Sequence, residues 1–387
     1  MVRCFCSSLF GLQATDTISS PTCFFSHQSP TQEDLDAVLH AAARNGRIAI
    51  VRRMLERGAA VNTLHPLAGS ALHAAAGGRN CVAGIDFLLG RGANIHAQWG
   101  EHGTPLHVAS ITGNLAAIKA LVQHGADIDF EGREYGTALQ AACALGEHDA
   151  AILLIEHGAN VHQRGGKYGS AWHAAVAYDW YSQDELEKVL TALLDRGVDV
   201  NDTQGRQHAT ALQAALELKP DWCFGFIKFL IRHGADPNIM AGNYGFLLQL
   251  ACAKSEFETI EFLLTECPAI NVNAEGGIFG FALQAAASSD TVYYRSERET
   301  VKLVRVLLER GADPNLRGGR YGSALNAAVL RGFWDTVDVL LAAGAKPDCK
   351  LLSEPDEEWL EQVRERDGSH AVARYKKFWD VEMKTGT

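Results

Sequence analysis

The sequence predicts an all-α repeat solenoid of about nine helix–turn–helix units joined by short β-hairpin-like fingers. Three observations carry that expectation. A Gly-Ala pair recurs at Gly58, Gly92, Gly125, Gly158, Gly234, Gly311 and Gly344, with Gly197-Val198 a near match. The first four are spaced by 34, 33 and 33 residues, a fixed period that marks a repeat architecture. A second register keeps the same period. It reads Ser70-Ala-Leu-His-Ala-Ala75, Thr104-Pro-Leu-His-Val-Ala109, Thr137-Ala-Leu-Gln-Ala-Ala142 and Ser170-Ala-Trp-His-Ala-Ala175, with later copies from Thr210, Phe246, Phe281 and Ser323. Between the two registers lies the pattern of a helix pair.

The ninth repeat shows that pattern most clearly. Ser323 is placed to cap a helix, its hydroxyl taking an orphan N–H of the first turn. The Ala-Leu-Asn-Ala-Ala that follows is narrow enough for neighbouring helices to approach closely. Leu330 ends this helix and Arg331-Gly332 makes the turn. A second helix over Asp335–Ala342 sets Val337, Leu340 and Leu341 on one stripe at 3.6-residue spacing. Gly344 then terminates it, since glycine accepts a left-handed conformation without a Cβ clash. Such a pair cannot bury its apolar face alone, so stability must come from stacked neighbours.

Taken in order, residues 1–30 carry no repeat signature and read as a flexible leader, or as the edge of a longer product. Arg3 followed by Cys4–Leu12 faintly resembles a signal peptide, but the array lacks secreted character. The array is expected over residues 31–349. Thr31-Gln-Glu-Asp34 opens it as a capping box, with Leu35, Val38 and Leu39 behind. Repeats end near Asn62, His96, Asp129, His162, Asn201, Asn238, Asn273, Asn315 and Asp348. In repeat seven Cys267-Pro268 replaces Gly-Ala, so proline geometry must stop that helix. Residues 350–387 read as a helical C-terminal cap, with a capping box at Ser353–Asp356 and a stripe of Val372, Tyr375, Trp379 and Met383.

Three repeats are longer than the rest at one place. From the His/Gln/Asn of helix one to the closing Gly is 18 residues in repeats four and nine, but 24, 21 and 27 in repeats five, six and eight. The added residues fall between the helices and include Tyr178, Trp180, Tyr181, Trp222, Phe224, Tyr293 and Tyr294. They either tuck onto their own repeat or form a second docking edge around Trp180 and Trp222.

The two registers resemble the ankyrin-repeat family, whose period and Thr-Pro-Leu-His signature survive intact at Thr104–His107. Most copies replace Pro with Ala and several replace His with Gln. With the Gly-Gly-x-Tyr-Gly lead-in, this is similar to an ankyrin variant of filamentous fungi. The resemblance implies a non-catalytic scaffold that binds another protein through fingers and inner helices, and structural hydrogen bonding for His40, His73, His107 and His173. Two alternatives stay open: the sensing portion of a larger fungal NACHT-type signalling receptor, and an accessory subunit of an enzyme.

Composition narrows the partners. Asp+Glu 46 against Lys+Arg 35 gives a net charge of −11, which argues against nucleic acid or an anionic membrane as the main partner. No apolar run approaches the ~18 residues of a membrane span. Nine scattered cysteines form no disulfide framework, and a reducing, cytoplasmic location is expected.

No catalytic, cofactor or metal residues are expected, and no small-molecule substrate. Gly165–Ser170 and Gly318–Ser323 open onto helices like phosphate cradles, yet they lack the Gly-Lys-Ser/Thr ending and recur along the array. His148, His157 and His162 have no matching ligand set. Asn201-Asp-Thr203 matches a glycosylation triplet. Tyr135, Tyr168, Tyr244 and Tyr321, with Phe279, are expected to pack finger against finger.

The expected partner surface follows from counting out to the finger tips. Cations fall there: Arg133 in the third finger, Arg164 and Lys167 in the fourth, Arg206 after repeat five, and Arg317 and Arg320 after repeat eight. Trp99 with Glu101 and Met240 with Asn243 occupy other tips. The functional reading is a ridge that steers an acidic partner segment, with Trp99 adding apolar contact. The alternative is that these tips are simply solvated.

Overall fold

The computed structural model describes residues 31–66, 68–177, 182–204, 210–218, 223–288, 296–347 and 369–380. The chain divides into two compact units. The first runs to residue 199, the second starts at 208, and residues 200–203 belong to the second and 204–207 to the first. Among the described residues there are nineteen α-helices and no extended strand.

The first unit holds five successive helix pairs. These are α1 (Gln32–Arg44) with α2 (Ile48–Glu56), α3 (Ala71–Ala76) with α4 (Val82–Gly90), α5 (Pro105–Ile111) with α6 (Leu115–Gln123), α7 (Ala138–Ala144) with α8 (His148–Glu156), and α9 (Ala171–Ala177) with α10 (Gln183–Leu194). The second unit holds α11 (Ala211–Leu218) with α12 (Cys223–Arg232), α13 (Leu247–Lys254) with α14 (Phe257–Glu266), α15 (Ala282–Ser288) with α16 (Glu297–Glu309), and α17 (Ala324–Arg331) with α18 (Trp334–Ala342). A last helix, α19 (Ser369–Phe378), follows.

The two helices of a pair do different work, and composition decides which. Every residue of α3, α5 and α7 is buried. Their alanines let α3 lie against α1 and α5, and α7 against α5 and α9. The second helices are amphipathic; α10 buries Leu186, Val189, Leu190 and Leu193 along one stripe. Full burial of one such leucine is worth about 2 kcal/mol.

The Gly-Ala pair closes the second helix by a Schellman cap. Gly158 sits at φ +89°; its N–H donates to Ile155 O, and the Ala159 N–H reaches back to Leu154 O at 3.0 Å. The same long bond links Ala93 to Leu88, Ala235 to Leu230 and Ala345 to Leu340. A Cβ on Gly158 would meet nothing within 4 Å, so conformation and not space demands the glycine. Repeat seven ends otherwise: Cys267 has φ −111° and donates only to Leu263 O, ahead of Pro268.

In the second unit α19 docks on α18. Arg374 donates to Asp335 at 2.8 Å and also pairs with Asp338. Phe378 is buried with its ring 6.3 Å from Trp334. Val372 is buried and Trp379 half-buried. Met383, the Tyr375 side chain, the box at 353–356 and the leader 1–30 lie outside the described residues.

Candidate partner-binding surface

Each finger rises from a base held by its own repeat and the next. The His or Gln of the first helix does half of this. Ser70 N–H donates to His73 Nδ1 at 3.1 Å, so that nitrogen is the acceptor, and Nε2–H donates to Gly103 O at 3.1 Å in the next finger. His107 repeats the arrangement between Thr104 N–H (3.3 Å) and Gly136 O (2.8 Å). Gln140 substitutes atom for atom: Oε1 accepts from Thr137 N–H at 2.9 Å and Nε2 donates to Gln163 O at 2.8 Å. In the second unit Gln213, Gln249 and Gln284 spend both amide hydrogens on two carbonyls of the next finger. This is the structural hydrogen-bonding role that the resemblance implies for His73 and His107.

His40 differs. Its Nδ1 lies 2.5 Å from Asp36 O and its Nε2 3.1 Å from Thr63 O, so both nitrogens face carbonyls.

The residue that ends each repeat is a second staple, and its role is not evident from one repeat alone. Asn238 Nδ2 donates to Ala269 O at 3.0 Å while its Oδ1 accepts the Asn271 N–H at 3.0 Å. Asn62, Asn201, Asn273 and Asn315 make the same two-point bond to the Gly carbonyl and an N–H of the next repeat. Asp129, which has no donor, keeps only the acceptor half, to Asn160 N–H at 2.7 Å. The Asn201 amide of the glycosylation triplet is thus fully engaged within the fold.

Glycines and aromatics lock finger to finger above the staples. A Cβ on Gly166 would lie 2.4 Å from the Tyr135 carbonyl carbon, and Gly277 and Gly319 stand equally close to Tyr244 and Phe279. Backbone bonds cross there: Lys167 N–H to Glu134 O, Ile278 to Asn243 O and Arg320 to Ile278 O. In the second unit Tyr244, Phe279 and Tyr321 stack, with centroids 6.0 and 6.4 Å apart. The glycine-rich loops therefore cradle a neighbouring backbone, which is why they recur.

What remains for a partner is the row of tips, each closed by an isolated antiparallel bridge such as Gly165↔Gly169 or Gly318↔Gly322. In the first unit Arg133, Arg164 and Lys167 are exposed on two consecutive fingers. In the second unit Arg317 and Arg320 are exposed on one finger. Lys167 and Arg320 lie over Tyr168 and Tyr321, at 5.4 and 5.0 Å. Carboxylates of the preceding finger come close: a Cβ on Gly165 would be 2.5 Å from Glu131 Oε1, and one on Gly318 3.1 Å from Glu275 Oε1.

Trp99 is placed differently from the cations. It occupies the bridge position that is Gly165, Gly276 or Gly318 in sister fingers, Trp99↔Gly103, and only 9% of it is exposed. Its indole N–H donates to Pro66 O at 3.1 Å, and its ring lies 4.5 Å from His102. Arg206, Trp180 and Trp222 lie outside the described residues. Phe224, from the same insertion as Trp222, packs its ring 5.8 Å from Phe262.

Two apolar tips complete the surface of the second unit. Met240 is 63% exposed and Ile278, on the next finger, 42%. Ile278 takes the position that is Lys167 or Arg320 in sister fingers, a substitution visible once the Gly-Gly-x-Tyr frames are aligned. Among the described residues no cluster of three or more His, Cys, Asp or Glu is arranged to hold a metal ion, and no helix is long and apolar enough to cross a membrane.

The helix pairs, the Thr104-Pro-Leu-His107 staple and the fingers lead to a single comparison. A model of one ankyrin repeat matches residues 34–65, and a model of three consecutive ankyrin repeats matches residues 72–165. The chain carries ankyrin repeats. Ankyrin repeats are generally protein–protein interaction modules and typically non-catalytic. The later pairs keep the staple with Gln213, Gln249 and Gln284 in place of His, and α12, α16 and α18 keep the glycine cap.

Proposed function

We propose that the chain is a non-catalytic scaffold whose finger tips bind a partner protein through mixed basic and apolar contacts. The observation that carries this reading is the juxtaposition, in the second unit, of Met240 and Ile278 with Arg317 and Arg320 on successive fingers. Everything beneath those side chains is committed to the fold by staples, crossing backbone bonds and stacked rings. Exposed large apolar groups beside cations fit a segment carrying both acidic and apolar side chains. In the first unit Arg164 and Lys167 supply the same charge. Trp99 offers only its outer edge; Arg206 extends the proposal to the finger after repeat five, and Trp180 and Trp222 extend it to the insertions. Five described cysteines are buried, and a cytoplasmic location is part of the proposal.

The test is affinity capture with the full chain as bait, beside a Met240→Asp, Ile278→Asp variant of unchanged helical content. A protein retained by the parent and lost by the variant supports the reading. Equal retention would place the contact elsewhere.

A further inference from the structure

In the first unit His73 and His107 share the staple role with Gln140, whereas Gln213, Gln249 and Gln284 carry it in the second, and this difference makes the units unequal towards acid. We infer that mild acid selectively loosens the first unit, by protonating the staple rings His73 and His107, while the second unit stays closed. The geometry leaves each neutral ring one usable tautomer. Ser70 N–H and Thr104 N–H can only donate, so both Nδ1 atoms must accept; Gly103 O and Gly136 O can only accept, so both Nε2 atoms must donate. The Ser70 and Thr104 hydroxyls, 2.8 and 2.9 Å from the same nitrogens, also donate to them. A second proton on Nδ1 would oppose the backbone N–H and force the hydroxyl to turn and accept, inside a site that is 0% exposed for His73 and 3% for His107.

The surroundings do not rescue the charge. Around His73 stand the carbonyls of Gly103 and Ala97, the Trp99 edge, and two further histidines, His102 and His107, which would repel it. Around His107 stand the Phe130 edge, Gly132 and Gly136. The ionisable groups on the adjoining elements are Glu33, Asp34, Asp36, His40 and Arg44 of α1, Asp86 of α4, Lys119 and His124 around α6, Cys143 of α7, and Glu101, Glu131, Arg133 and Glu134 at the finger tips. Asp36 is spent on Gln32 and Ala60 N–H, Asp86 on His124, and Glu101 and Glu134 act on His102. Burial pushes His73 down to about 4 and lowers His107 in the same direction.

A folded value below the unfolded 6.5 means the unfolded chain binds more protons, so stability is lost as pH falls from about 6.5 towards 4. Glu147, raised by burial, opposes this in part. In the second unit the staples Gln213, Gln249 and Gln284 do not titrate, and burial raises Glu256 and Glu297, so these two groups favour that unit's fold in acid. Of its described histidines, His233 is exposed at the end of α12 and His370 lies in α19, away from the staples.

Peptide-resolved hydrogen exchange on the full chain at pH 7 and pH 5, corrected for intrinsic rates, tests the inference. Amides of α3 to α6 should lose roughly 20-fold of their protection at pH 5 from His73 alone, while α13 to α17 hold theirs. A His73→Gln, His107→Gln variant, in which each ring becomes the residue the fold already uses at Gln140, should keep that protection at pH 5. Equal loss in both units, or a variant as acid-labile as the parent, overturns the inference. Should the variant fold poorly at pH 7, the comparison of the two units in the parent chain still decides it.

Discussion

The backbone N–H of Lys167 donates to Glu134 O at 2.7 Å, and Gly166, one residue earlier, leaves no space between the two fingers. The repeat thus contains two glycines with different duties. Gly166 is needed for both its φ of +62° and the missing Cβ, whereas Gly158 is needed only for its φ of +89°. Gly158→Val should cost on the order of 1–2 kcal/mol through backbone strain alone. Gly166→Ala should cost more, about 3 kcal/mol, because the Tyr135 backbone must also move. Urea midpoints of the two variants check the order. An unchanged midpoint for Gly158→Val would show that it is not a left-handed cap.

The terminal asparagine of a repeat should be more valuable than its exposure suggests. Asn238→Asp keeps the acceptor for Asn271 N–H and loses the donor to Ala269 O, so about half of a ~1 kcal/mol effect is expected. Asn238→Ala loses both. A thermal-melt series in the order parent, Asp, Ala supports the two-point staple. Identical melts for all three would leave Asn238 as surface.

Arg374 clamps α19 to α18 at an exposed edge, with Asp335 and Asp338 63% and 69% accessible. Arg374→Ala should therefore cost only about 0.5–1 kcal/mol, and less as salt rises. Limited proteolysis should release the C-terminal segment sooner in the variant. Cleavage at the parental rate would assign the docking to Phe378 and Val372.

Burial pushes the Cys143 thiol up to about 12, so almost no thiolate exists at pH 8 and the native chain should resist alkylation there. Mass spectrometry after iodoacetamide treatment should find Cys143 unmodified in native protein and modified after denaturation. Rapid native labelling would mean that α7 opens readily.

Much of the fold was legible because its rules are local. Gly-Ala announces the Schellman cap and Ser-Ala-Leu-His announces the capped inner helix, each within a few residues. The finger surface was less legible because its contacts join residues about 33 positions apart. Asn238 marks a repeat boundary in sequence, but its partners Ala269 and Asn271 belong to the next repeat. Counting from Gly-Ala sets Trp99 among the tips. The Trp99↔Gly103 bridge instead puts it where Gly165 sits in a sister finger, turned onto His73 and His102. Glu131 and Glu275, which shade the cations of the following finger, are likewise invisible to a count made within one finger.

Association kinetics measure the central claim most directly. Arg164→Glu, Lys167→Glu, Arg317→Glu and Arg320→Glu, combined in the full chain, reverse the exposed cations without touching a staple. Against the captured partner in low salt, association should slow several-fold and its salt dependence should flatten, because rim charges act mainly on encounter. Dissociation should barely change. An association rate equal to the parent's in low salt would contradict the account and leave the finger tips as solvated surface.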